Sequence, residues 1–191
     1  MSDWIARPRS ARDIAAAANN ARSIFGYADS LVPDLVAILE FDLENVLPGY
    51  QFHVEENVLS EDGKPVYAQT QFSPPSITFS AASYAALVKS EPHARFTAAH
   101  ELAHALLHWG DKSLNRAPNA ISKLINKAMS AEWQANEFAA NFLVPEHIAR
   151  CYTDPYELAQ LTMVSVRVAQ IRLTSLNLWP KKVLLPKGFN F

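Results

Sequence analysis

The chain has a single cysteine, Cys151, in 191 residues. One cysteine excludes an internal disulfide framework and a four-cysteine zinc site, and it suits a reducing compartment. Glycine is scarce too. The five glycines stand at Gly26, Gly49, Gly63, Gly110 and Gly188, all turn positions by their neighbours. No stretch approaches the ~18 apolar residues of a membrane span, and the opening ten residues, which include Asp3, Arg7 and Arg9, lack the apolar core of a signal peptide. These absences lead us to expect a soluble, cytoplasmic protein. Charge of one sign is missing as well: 17 Lys and Arg stand against 19 Asp and Glu, for a net charge of −2. The balance hides an asymmetry, −6 over residues 1–94 and +4 over 95–191, but a +4 half is too weak to indicate nucleic-acid binding. What is present is ordinary globular composition, 49% hydrophobic and 19% charged, which excludes a mostly disordered chain. Alanine outnumbers every other residue type and argues for a helix-rich fold. The length fits one domain spanning 1–191, with no repeats or linkers.

Periodicity places the elements. Residues 11–25 are alanine-rich with apolar residues at helical spacing, and Gly26 ends that pattern. Pro33-Asp34 reads as a helix start, with Leu35, Leu39 and Leu43 on one face before Pro48-Gly49. Residues 50–54 and 65–70 alternate in strand fashion, with Glu61-Asp62-Gly63 as the turn, and 75–79 reads as a third short strand. Pro74 and Pro75 fit an edge or a strand start. Helices then return over 81–89, about 92–109 with Gly110 past the end, about 131–143 stopped by Pro145, and a pair within 157–176 hinged near Val164-Ser165. Between them lies a basic connector, 111–127, carrying Lys112, Arg116, Lys123 and Lys127. The fold class is therefore α+β, mainly helical with a small three-stranded sheet.

His100-Glu101-Leu102-Ala103-His104 is an H-E-x-x-H sequence inside an expected helix. An i, i+4 pair projects both imidazoles from one face, close enough to share one Zn²⁺. The intervening glutamate lies beside the metal, where it can take a proton from an activated water and pass it to a leaving amine. With six histidines and eleven glutamates in the chain, a chance match is about one in a hundred. A catalytic zinc needs a third protein ligand and an open position. Metzincin spacing is absent, because Leu107 and Gly110 stand where that class has glycine and histidine. His108 continues the ladder, but three ligands along one straight helix do not converge, so it reads as a capping or packing side chain. The next helix offers Glu132 and Glu137, roughly 140° apart around its axis. Glu132 shares a face with Asn136, Ala139 and Leu143, while Ala135 and Ala139 permit close helix approach. Spacing alone gives Glu132 only a modest preference, and either glutamate could be a solvated surface residue.

The segment Arg95-Phe96-Thr97-Ala98-Ala99-His100-Glu101-Leu102-Ala103-His104-Ala105-Leu106-Leu107-His108 resembles the core of the ImmA/IrrE-like zinc metallopeptidases. Glu132-Trp133-Gln134-Ala135-Asn136-Glu137-Phe138-Ala139-Ala140, followed by Leu143-Val144-Pro145, is similar to that family's second signature. The resemblance spans about 75–176. It implies a gluzincin-type site, with His100, His104 and Glu132 on zinc and Glu101 as general base. It also implies that Asn136 hydrogen-bonds a ligand imidazole, that of His100 first of all. The implied fold has helices around a small sheet whose edge can hold an extended peptide. The implied partner is a helix-turn-helix transcriptional repressor of a phage, mobile element or stress regulon, cleaved as substrate. Many relatives carry a DNA-binding domain before the peptidase or a sensor domain after it, and neither is expected within these 191 residues.

The alternative function is a regulator that binds such a repressor without cutting it, using zinc structurally. The intact glutamate of the motif counts against it. For the oxyanion donor, His147, Tyr84 and Arg95 qualify by residue type, yet each reads better as structural, and none is assigned. Glu40–Asp62 holds seven carboxylates and no Lys or Arg, a stretch that can receive a basic partner but reads first as a solvated face. Residues 164–173 have the cadence of a helix-turn-helix recognition helix, but only Arg167 and Arg172 supply charge, so packing is the expectation and no direct nucleic-acid contact is expected. Manganese or iron can occupy sites of this kind in place of zinc.

Overall fold

A computed structural model describes residues 4–60, 62–111, 114–116 and 126–179. Lys112 and Lys123 of the basic connector, Glu61 of the expected turn and Gly188 lie outside them. The chain opens with a short strand β1 (Trp4–Ile5) and helix α1 (Ala11–Ile24). Ser10 and Asp13 form a capping box at the start of α1, each side chain accepting from the other's backbone N–H. Ile14, Ala18 and Ala21 form its buried face, and Gly26, at φ 78°, turns the chain away at its end. Asp34 caps α2 (Leu35–Ala37), which runs through one π-helical turn into α3 (Leu43–Val46) and buries Leu35, Ile38, Leu39 and Leu43.

The sheet region contains β2 (Gln51–Glu55), β3 (Val58–Leu59), β4 (Pro65–Val66), β5 (Ala68–Phe72) and β6 (Pro75–Ser80). The main sheet has the order β2-β6-β5, as expected in strand number. Its connectivity corrects the expected turn. The bend at Gly63 closes only the small antiparallel pair of β3 and β4, while β2 runs parallel to the central strand β6 and β5 pairs with β6 antiparallel. Alternation along each strand carries no information about which strand lies between the other two. Pro75 does start a strand, and that strand is the most buried of the sheet: Ser76, Ile77, Thr78 and Phe79 are all inside. β5 is left as an edge, hydrogen-bonded to a strand on one side only among the described residues.

Ser80 caps α4 (Ala81–Val88), followed by α5 (Pro92–His108) and a two-residue strand β7 (Asn115–Arg116) that pairs with β1. Then come α6 (Ala131–Leu143), α7 (Glu146–Ala149), α8 (Pro155–Thr162) and α9 (Val166–Ser175). The longest helix among the described residues, α5, packs most extensively on α6, and α1 also packs on α6. Ala98, Ala99, Ala103, Ala135 and Ala139 are fully buried, so the alanine excess is used where helices must come close. One hydrophobic core runs from Ile14 to Leu173. α9 belongs to it: Ala169 and Leu173 are buried, and the Arg172 guanidinium is inside, donating to the Val144 carbonyl at 2.9 Å. Of the two arginines in the expected recognition helix, one is thus consumed by packing. No helix among the described residues is long and apolar enough to cross a membrane.

Candidate metal centre

The helical rise of α5 brings His100 and His104 to one face, with their Nε2 atoms 3.1 Å apart. Ser130 caps α6 by accepting from the Trp133 N–H at 3.0 Å, which places Glu132 in the first helical turn. From there Glu132 Oε2 lies 3.5 Å from His100 Nε2, and Oε1 lies 3.6 Å from His104 Nε2. All three groups offer a ligand atom within 4.8 Å of the others. Four ligands at the usual Zn–N and Zn–O lengths of about 2.0–2.2 Å in a tetrahedron would stand roughly 3.3–3.6 Å apart. The two imidazole–carboxylate separations fall in that range and the imidazole–imidazole one just below it, and two imidazoles with one carboxylate are a donor set that suits a divalent transition metal.

The electrostatics point the same way. Burial would lower the pKa of His100, but the hydrogen bond to Glu132 and the charges of Glu101 and Glu132 outweigh it and raise the value. Burial would raise Glu132, but His100 and His104 outweigh it and hold the carboxyl at about 2. Burial, with the nearby His100, lowers His104 to about 3, so that ring stays neutral. A carboxylate and two imidazoles therefore call for one positive charge between them. Either a proton or a metal cation can supply it.

The other expected residues make different contacts. Asn136, one turn after Glu132, has Oδ1 3.1 Å from His100 Nδ1. As an acceptor it holds the hydrogen on Nδ1 and turns Nε2 toward the group. Glu101 is buried and offers no atom to the His100–His104–Glu132 set. Burial raises the pKa of its carboxyl, partly offset by His100 and by Thr70. Glu137 faces elsewhere and accepts from the Asn141 side chain on its own helix. The three oxyanion candidates are engaged away from the group: Tyr84 donates to Glu40, buried Arg95 donates to the Pro33 carbonyl at 3.2 Å, and exposed His147 lies 3.8 Å from Asp29.

Two residues escaped sequence reasoning. Thr70 on β5 has its hydroxyl 2.7 Å from Glu101 Oε2 and 3.0 Å from the Glu101 carbonyl, so its single hydrogen goes to the nearer, charged acceptor. Gln134, completely buried, has Oε1 3.1 Å from His108 Nε2. Nothing in the local sequence of either marks it. His108 packs, as expected, but it also lies 3.0 Å from His104 through the two Nδ1 atoms, a contact that the i, i+4 spacing could have suggested.

The family model Peptidase_M78, IrrE N-terminal-like domain, matches residues 86–174, from the end of α4 through nearly all of α9. Among solved structures, a Mycobacterium tuberculosis transcriptional regulator is similar at 15% identity and a TM-score of 0.55. The match covers 92% of this chain and 48% of that one, so the chain spans about half the length of that regulator, and at such identity the likeness shows the fold alone. No curated protein matches the chain.

Proposed function

We propose, since residues 86–174 belong to the IrrE N-terminal-like peptidase family, that this protein is a zinc-dependent endopeptidase with one specific protein partner. The observation that carries the reading is the pairing of a three-ligand group with a buried carboxylate one residue away that is not a ligand. His100, His104 and Glu132 would hold the metal, with Asn136 steadying His100. When bound, the metal supplies Lewis acidity that polarises the scissile carbonyl and acidifies water. Glu101 accepts the proton as water adds to the carbonyl carbon, then hands it to the amide nitrogen as the C–N bond breaks. Burial prepares the carboxyl for this by raising its proton affinity, and the Thr70 hydroxyl keeps it aimed. β5, an edge strand among the described residues, carries Thr70 beside Glu101 and can hold an extended substrate segment by backbone pairing.

A structural zinc site is closed by four protein ligands, whereas this group has three among the described residues, and Glu132 is 38% exposed at its side chain. That favours cleavage over binding without cutting. We read 1–191 as one working domain. The partner best supported by the family resemblance is a helix-turn-helix transcriptional repressor. Such a repressor is cytoplasmic and so, on this reading, is the enzyme.

The test is incubation of the zinc-loaded protein with a repressor encoded beside its gene, with fragments read by mass spectrometry. Glu101→Gln should bind zinc as the parent does and cleave about 10²–10⁴-fold more slowly. Undiminished cleavage by Glu101→Gln would overturn the mechanism. Intact repressor with the parent enzyme, under conditions where the two form a complex, would favour the non-cleaving regulator.

A further inference from the structure

Behind the metal group, away from Glu101, lies a buried chain of polar side chains that the cleavage mechanism does not use. It begins at Gln134, whose side-chain Nε2 is 2.8 Å from the Arg7 carbonyl and 2.8 Å from the Ala128 carbonyl. Two carbonyls take both amide hydrogens, which fixes the orientation of the carboxamide, since the reverse would set its oxygen against two others. Its Oε1 therefore faces His108 Nε2 at 3.1 Å and can only accept. His108 must then carry its hydrogen on Nε2. His108 is 1% exposed, and a buried ring whose two nitrogens face a carboxamide oxygen and a second imidazole holds one hydrogen, so its Nδ1 is a bare lone pair. That lone pair lies 3.0 Å from His104 Nδ1, which must carry the hydrogen and donate it. His104 is left with a bare Nε2, the atom that faces His100 and Glu132.

We infer that Gln134 and His108 are positioning residues that set the tautomer and ring orientation of His104, through a relay anchored on the backbone carbonyls of Arg7, before α1, and Ala128, before α6. The inference rests on the reading of His100, His104 and Glu132 as a metal site. It gives the second histidine a partner equivalent to the one Asn136 gives His100, drawn from α5 itself instead of from α6. A neutral imidazole free to exchange tautomers presents the wrong nitrogen part of the time, and the relay removes that freedom.

The test uses the full chain and zinc or cobalt ions alone. Long-range ¹H–¹⁵N spectra of the metal-free protein report each tautomer directly. Hydrogen on His104 Nδ1 and on His108 Nε2 is expected, and hydrogen on His108 Nδ1 would overturn the inference. Competition with a chromophoric chelator then gives metal affinity. His108→Leu keeps the bulk but cannot accept, and should weaken zinc and cobalt binding about 10–100-fold. His108→Gln, which can accept from His104 and donate to Gln134, should recover most of that loss. Equal affinity in His108→Leu and the parent would sink the proposal, as would a His108→Gln protein that melts like the parent yet binds as weakly as His108→Leu. A parent protein that binds neither ion would count against the metal reading itself, and the spectra would still decide the relay. They also decide it if His108→Leu does not fold.

Discussion

The two sides of the His100–His104 pair are built differently. Toward the sheet, Glu101 is held by Thr70, a residue of an edge strand whose outer side has no strand partner among the described residues. Toward the end of α5, His108 and Gln134 are sealed in the core, at 1% and 0% exposure, and their hydrogen bonds end on backbone carbonyls. Each side fixes one side chain by hydrogen bonds, but the surroundings suit different tasks. On the proposed reading Glu101 is a proton-transfer group that must meet substrate, and an edge strand lies beside it. A ligand must not change tautomer or rotate, so it is backed by dry, fully partnered groups, where an unpaired polar atom would cost on the order of 1–3 kcal/mol. The difference suggests that substitutions on the sheet side change rate at constant metal affinity, and that those on the buried side change metal affinity first.

The largest effect is expected where the two sides meet. On the proposed reading Glu132 completes the ligand group, and its loss leaves two imidazoles without the carboxylate that favours a cation. Glu132→Ala should lower zinc affinity by more than the roughly 100-fold upper range for losing an outer hydrogen bond. Isothermal titration with zinc measures it. An affinity within tenfold of the parent would show that the third ligand lies elsewhere. Acid should have the same direction of effect: the raised pKa of His100 means that a proton competes with the metal, so affinity should fall as pH drops through a value above 6.5.

Thr70→Val tests the sheet side alone. A hydrogen bond to a charged group is worth about 1.5–3 kcal/mol, so kcat/KM should fall about 10–100-fold with zinc affinity unchanged. The sign of the pH effect follows from the cause. Burial raises the Glu101 pKa and the Thr70 hydrogen bond holds it down, so the variant should lose activity at a higher pH than the parent as the medium is acidified. A rate profile against pH reads this. An acid limb that stays in place or moves lower would detach Thr70 from proton transfer.

How much of this was legible in the sequence tracks how local each cause is. The His100-Glu101-His104 cluster follows from adjacent residues and helical period, and the starts of α1, α4, α6 and α9 follow from Ser10, Ser80, Ser130 and Ser165. Glu132 needed more, because periodicity separated it from Glu137 without saying which faced α5. Thr70 and Gln134 were invisible, since their partners lie 31 and 26 residues away and are set by strand and helix docking. The turn at Gly63 misled for the same reason: a local bend was read as joining two strands of the main sheet, while the parallel pairing of β2 with β6 spans a longer loop.

The smallest effect separates support of the buried side from support of the helix that carries it. Ser130 caps α6, which bears Glu132, Gln134 and Asn136, through the backbone N–H of Trp133. Losing such a cap costs about 1 kcal/mol, or roughly 2–4 °C in Tm for a chain of this size. If α5 and α6 are held together by their buried alanine seam, Ser130→Ala should lower Tm by that amount and leave zinc affinity within roughly two- to threefold, as for sites without shared partners. Should zinc affinity instead fall as far as in His108→Leu, the start of α6, and not the His108 relay, would be what holds the buried side in register.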